Sequence, residues 1–133
     1  MNDTIFGKII RGEIPASKVY EDEEFLAFLD VNPVTKGHTL LIPKVQYRWV
    51  DDVPDEVLAR IFVKAKELIK KMRVGLHCDY VEIGVVGMEV EHFHIHLIPH
   101  MFHEGAAESH RPRTTYDSAQ EMNSFAEKIS TTL

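Results

Sequence analysis

Cysteine is almost absent from this chain: Cys78 stands alone among 133 residues. A lone thiol excludes an intrachain disulfide and leaves no cysteine-based metal motif. A reducing, intracellular setting is then the default, and a cytoplasmic location is the expectation. Long apolar runs are missing too. No segment reaches the length of a membrane-spanning helix, so no membrane partner is expected. The opening MNDTIFGKII has no basic stretch followed by an apolar core, and a secretory signal is not expected. Positive charge is also in short supply, with a net charge of −6 and acidic residues spread along the chain. That argues against a nucleic-acid polymer or an anionic membrane as partner, since both need wide basic surfaces. A small anion such as a nucleotide is not excluded, because a few local donors hold one phosphate group whatever the global charge.

What is present suffices for one domain over residues 1–133, with 44% hydrophobic residues and no low-complexity tract. Asp3-Thr4 precedes Ile5, Phe6, Ile9 and Ile10, a short helix ending near Gly12. Val19-Tyr20 and Phe25–Leu29 read as two strands around the acidic turn EDEE, and HTLLIP (38–43) as a third. Between them DVNPVTKG has the composition of a loop. From about Pro54 to Arg73, Val57, Leu58, Ile61, Phe62, Ala65, Leu68, Ile69 and Met72 recur at helical spacing, with Gly75 as the expected stop. Tyr80–Val86 and Val90–Pro99 supply two more strands, and after a polar segment a weak helix runs from Ser118 to about Ile129. The expected class is α+β: an antiparallel sheet of about five strands, one long helix and short terminal helices.

The chemistry concentrates in EHFHIHLIPH, residues 91–100. On a strand alternate side chains share a face. His92, His94 and His96 would line one side, and Phe93, Ile95 and Leu97 would face the core. A polar face that merely happens to be rich in histidine accounts poorly for three imidazoles in three positions. Zinc chelation needs a further carboxylate or thiolate at convincing spacing, which is not evident. Chemistry on a phosphate ester fits better, since neutral imidazole is nucleophilic near pH 7 and its neighbours can donate to phosphate oxygens.

The run His92-Phe93-His94-Ile95-His96-Leu97-Ile98 resembles the His-φ-His-φ-His-φ-φ pattern (φ, apolar) of the histidine triad superfamily. With DTIFGKIIRGEIPASKVYEDEEFLAFLD, GHTLLIPK and the long helix in the same order, the likeness runs from about Asp3 to Pro99. It is closest to the histidine-triad nucleotide-binding branch. The resemblance implies a histidine-triad (HIT-like) fold and a homodimer whose sheets continue into one another. It also implies attack by His94 on the α-phosphorus of a purine nucleotide or nucleotide conjugate, with His92 and His96 at the phosphate and His38 supporting the triad. Asp30 corresponds to the acid used on the ribose hydroxyls, and Phe6, Ile9, Phe28 and Val31 to the base pocket. Many relatives carry a Cys-x-x-Cys near the start; here Thr4 and Gly7 stand instead, so no zinc or other cofactor is expected. Many also carry Gly-Gln-Ser/Thr-Val before the triad, where this chain has Gly87-Met88-Glu89-Val90. Met88 cannot donate a hydrogen bond and an ionised Glu89 repels phosphate. Glu89 facing solvent, holding a histidine, or acting on the amine of a phosphoramidate are all open. The implied activity is hydrolysis of nucleoside phosphoramidates or related conjugates. The alternatives are dinucleoside polyphosphate hydrolysis and a nucleotide-binding regulator with little turnover. In the C-terminal tail, 100–133, His103, His110, Arg111 and Arg113 are available for extra phosphates, though a solvated tail is the simpler reading.

Overall fold

The computed structural model describes residues 1–104 and 112–131. Its elements follow in the order α1 (Ile5–Ile10), β1 (Lys18–Glu21), β2 (Phe25–Leu29), β3 (Thr39–Pro43), α2 (Asp55–Leu76), β4 (Tyr80–Gly84), β5 (Ile95–His100) and α3 (Ala119–Ser130), with short 3-10 turns at Val50–Asp52 and Phe102–Glu104. The five strands form one antiparallel sheet in the order β1-β2-β3-β5-β4. The α+β expectation therefore holds.

The runs FLAFL and TLLIP are buried at all five positions because β2 and β3 are covered on both faces. Period-2 alternation then sorts their side chains. Phe25, Ala27, Leu29 and Leu41 join Phe93, Ile95 and Leu97 against Ile61, Ala65, Leu68 and Met72 of α2 and Ala126 and Ile129 of α3. Leu26, Phe28, Leu40 and Ile42 face the other way and meet Phe6 and Ile9 of α1. Thr4 caps α1, its hydroxyl accepting the Gly7 N–H at 3.1 Å. The two positions that differ from the Cys-x-x-Cys pattern thus serve the helix start.

Two boundaries differ from expectation. Helix α2 runs through Gly75 to Leu76 and ends on His77, whose φ is +56°. Leu76 packs against the helix-face core, and that burial outweighs the roughly 1 kcal/mol a mid-helix glycine costs. The triad strand, expected over 90–99, is regular only over Ile95–His100. Upstream of it the Phe93 N–H donates to the carbonyl of Tyr47 rather than to a neighbouring strand, so the ladder breaks before His92 and His94. Among the described residues no helix is long and apolar enough to cross a membrane.

Candidate active site

Loop 30–38 is built to present one imidazole. Asp30 Oδ1 accepts the Asn32 N–H at 2.9 Å, the Asp30 N–H donates to the His38 carbonyl at 2.9 Å, and the His38 N–H closes on the Thr35 carbonyl at 3.0 Å. Gly37 has φ +99°, a conformation that disfavours any side chain, and a Cβ there would also press on Leu76 Cδ1 at 2.6 Å. His38 is fully buried behind this loop. Its Nδ1 accepts the Val34 N–H at 3.1 Å, which leaves the ring proton on Nε2.

That proton is directed at His96. His38 Nε2 lies 2.9 Å from His96 Nδ1, and with His38 as donor the His96 proton sits on its own Nε2. His94 has the opposite tautomer. Its Nδ1 is 2.7 Å from the His92 carbonyl, which can only accept, so Nδ1 carries the proton and Nε2 keeps its lone pair. Neighbouring imidazoles, 4.8 Å apart between centroids, therefore hold one basic nitrogen and one N–H donor.

Burial depresses the basicity of the whole set. Desolvation, then the nearby His96 and Arg113, hold His38 at about 2; desolvation and His94 hold His96 at about 4. His92 and His94 also fall below the usual imidazole range through desolvation. For His94 the hydrogen bond to the His92 carbonyl and the charges of Glu89 and Asp30 oppose the fall. All four are neutral at pH 7, the state a nitrogen nucleophile requires.

Three of these rings open on a cavity of about 430 Å³. His38, His94 and His96 line it with Val34, Ile98 and Gly84, the chain from Val86 to Glu89, and Pro112 and Arg113. Gly84 pairs with His96 across β4 and β5, and the absence of a side chain there keeps space above the ring. Gly87 has φ +84°, and a Cβ on it would come 3.0 Å from the Trp49 ring. A left-handed glycine packed against an indole thus turns the chain so that Met88 and Glu89 reach the cavity wall. Both are exposed there.

Not every expected site residue meets this cavity. His92 is 1% exposed, does not line it, and is 2.6 Å from the Pro43 carbonyl through Nε2, while its buried Nδ1 has no partner. It sits behind His94, and its carbonyl orients that ring. Phe6 stacks edge-on against His94 at 5.0 Å and against Phe28 at 5.4 Å, and Phe6, Ile9 and Phe28 belong to one buried apolar cluster beside that ring. Val31 is 64% exposed. Asp30 comes within 3.9 Å of His38 Nε2, and its Oδ2 receives Arg113 Nη1 at 3.0 Å. Donor atoms of Asp30, His38 and His96 lie within 4.8 Å of one another, the spacing of a metal group, yet each already has a protein partner.

Arg113 is the residue that sequence reasoning undervalued. The segment around it is not a loose tail: the Thr114 N–H donates to the Pro33 carbonyl at 2.8 Å, and the Tyr116 hydroxyl accepts the Gly37 N–H at 3.0 Å. Its sequence signal is weak, since one arginine in a polar segment has no periodicity. His103 is exposed, and His110 and Arg111 lie outside the described residues.

Comparison with known proteins identifies the domain. The HIT domain model matches residues 11–103. An uncharacterised HIT-like protein of Methanocaldococcus jannaschii is 48% identical over 99 residues, 71% of this chain and 77% of that one. The adenosine 5′-monophosphoramidase of Saccharomyces cerevisiae is 42% identical over 96 residues, 71% of this chain and 61% of that one. A solved HIT-like protein of Bartonella henselae, involved in cell-cycle regulation and holding an unknown ligand, superposes with a TM-score of 0.85 at 31% identity, covering 100% of this chain and 98% of that one.

Proposed function

The chain belongs to the HIT domain family, and from that premise we propose that it hydrolyses nucleotide conjugates at the α-phosphate, nucleoside phosphoramidates foremost, with His94 as nucleophile. The observation that carries this reading is the 2.7 Å hydrogen bond from His94 Nδ1 to the His92 carbonyl, which leaves Nε2 as a lone pair at the cavity. In the first step Nε2 bonds to the α-phosphorus, the P–N bond to the leaving amine breaks, and that nitrogen takes up a proton from solvent. In the second, water attacks the nucleotidyl-histidine, releases the nucleoside monophosphate and restores the lone pair on His94. His96 Nε2–H donates to a phosphoryl oxygen as charge develops, and His38 holds His96 in that tautomer. His92 acts by positioning His94. Glu89, exposed at the wall, favours a leaving group that departs as an ammonium ion. The alternative, a dinucleoside polyphosphate, draws support from Arg113 in the same cavity.

Adenosine phosphoramidate and a diadenosine polyphosphate, offered separately, test the reading. Release of AMP from the first, lost in His94→Ala, with a nucleotidyl adduct mapped to His94 by intact mass in a His96 variant, is the expected outcome. AMP binding without turnover of either conjugate would make the protein a nucleotide-binding regulator instead.

We also propose that the protein is a cytoplasmic homodimer. Strand β4 is a sheet edge, and Ile83, Val85 and Val86 are exposed along and just beyond it, with Phe62 and Val63 exposed on α2. Light scattering at micromolar concentration is expected to give twice the 15.3 kDa chain mass.

A further inference from the structure

The cavity that would receive a phosphate has neutral imidazoles at its centre and two carboxylates, Asp30 and Glu89, beside it. Among the described residues that line it, Arg113 is the one lysine or arginine. An anion there needs positive charge nearby, and in a protein of net charge −6 the global field supplies none. Arg113 is engaged elsewhere: its Nη1 donates to Asp30 Oδ2 at 3.0 Å and to the Asn32 carbonyl at 2.7 Å. Its partner Asp30 stands 3.9 Å from His38 Nε2, which in turn is 2.9 Å from His96. The guanidinium lines the same cavity as His96, where a phosphate would be held. Its backbone is anchored by the Thr114–Pro33 and Tyr116–Gly37 hydrogen bonds, and by Lys36, which reaches Glu121 at 3.0 Å and Asp117 at 3.4 Å. The side chain is held through Nη1 alone, on a partly exposed ion pair and one carbonyl, while its base is fixed by the backbone. Residue 113 also lies beyond the stretch that matches the family, 11–103.

We propose that Arg113 is a specificity-determining residue that holds Asp30 in the free protein and shifts its guanidinium to the substrate's phosphate, releasing the Asp30 carboxylate for the ribose hydroxyls. This rests on the nucleotide reading above and on Asp30 as the ribose acceptor. One event then couples two recognitions. A nucleoside without phosphate meets an Asp30 already occupied and gives Arg113 no anion to move to. A nucleotide supplies the anion and gains the carboxylate. The site therefore reads the phosphate first and the sugar second, and it rejects nucleosides by leaving their hydroxyls without an acceptor.

The test is calorimetric titration of the full chain with AMP and with adenosine, and with GMP and guanosine as a parallel pair, for wild type, Arg113→Ala and Arg113→Lys. Losing a charge-assisted contact is expected to weaken the nucleotide about 10- to 100-fold. Freeing Asp30 from a partly exposed ion pair is expected to tighten the nucleoside about two- to fivefold. Arg113→Lys keeps a cation and recovers much of the nucleotide affinity. These opposite shifts are what a merely structural strap does not produce, since loosening the fold weakens both ligands together. Equal weakening of both, no change in either, or wild type binding nucleoside as tightly as nucleotide overturns the proposal. If the His94 adduct forms and the shifts do not cross, only this inference falls. If wild type binds no nucleotide and forms no adduct, the functional reading falls and takes this one with it.

Discussion

The two faces of β5 and its lead-in are both largely buried, His96 least, and by different physics. On the helix face Phe93, Ile95 and Leu97 are at most 1% exposed and meet only apolar side chains of α2, α3 and the neighbouring strands. On the other face His92 and His94 are 1% and 5% exposed, and each ring is fixed through one nitrogen, His92 Nε2 on the Pro43 carbonyl and His94 Nδ1 on the His92 carbonyl. The first face tolerates any filling of the right volume. The second works only in one pattern of donors and acceptors, because a buried polar group without its partner costs the full desolvation of that group. Stability and chemistry are thus carried back to back on one segment, about 10 residues long.

The largest effect that separates the faces is His94→Ala. Loss of the proposed nucleophile is expected to cut kcat/KM by about 10⁴-fold, with a loss of about 1–3 kcal/mol in stability from the unpaired His92 carbonyl that leaves the protein folded. A variant that unfolds as it loses activity would show that the faces are not separable. Leu97→Ala should do the reverse. Truncating a fully buried side chain costs about 2–5 kcal/mol in urea unfolding, while turnover per folded molecule stays close to wild type.

Acidification sharpens the contrast further. The histidine face carries folded-state pKa values below the roughly 6.5 of an unfolded imidazole. Below that pH the unfolded chain binds protons that the folded chain excludes. Stability is therefore complete above pH 6.5 and declines as pH falls, by about 1.4 kcal/mol per pH unit for each such histidine, down to about pH 4 for His96. The slope of unfolding free energy against pH should be shallower by about one proton in His96→Asn, whereas an unchanged slope would mean that His96 is not held neutral by the fold. The smallest expected effect is at the wall. Glu89→Gln should lower the preference for a phosphoramidate over a dinucleoside polyphosphate about two- to fivefold, measured as a ratio of kcat/KM, because an exposed charge is heavily screened.

Much of the fold was legible before the structure. The β1–β2 hairpin, the third strand and the long helix follow from period and turn residues within a few positions of where they lie. The errors have tertiary causes. Gly75 did not stop α2 because Leu76 had a core to join, and the strand carrying the histidines starts late because Tyr47 takes the Phe93 N–H out of the sheet. At the site, the pattern located the histidines but implied equal roles at the phosphate for His92 and His96. The Pro43 carbonyl, which is remote in sequence, holds His92 in a second layer.

By itself the sequence determined the class of fold, the segment on which the proposed chemistry rests, and which side chains of that segment would share a face. Alternation and helical spacing are local properties, and they are written in the order of residues. Which nitrogen of His94 is basic, which residue gives His96 its tautomer, that Phe6 packs edge-on against His94, and that Arg113 reaches back across 83 residues to Asp30 were decided only by the tertiary structure. Proton positions and ion pairs depend on partners that chain order does not bring together, and only folding places those partners within hydrogen-bonding distance.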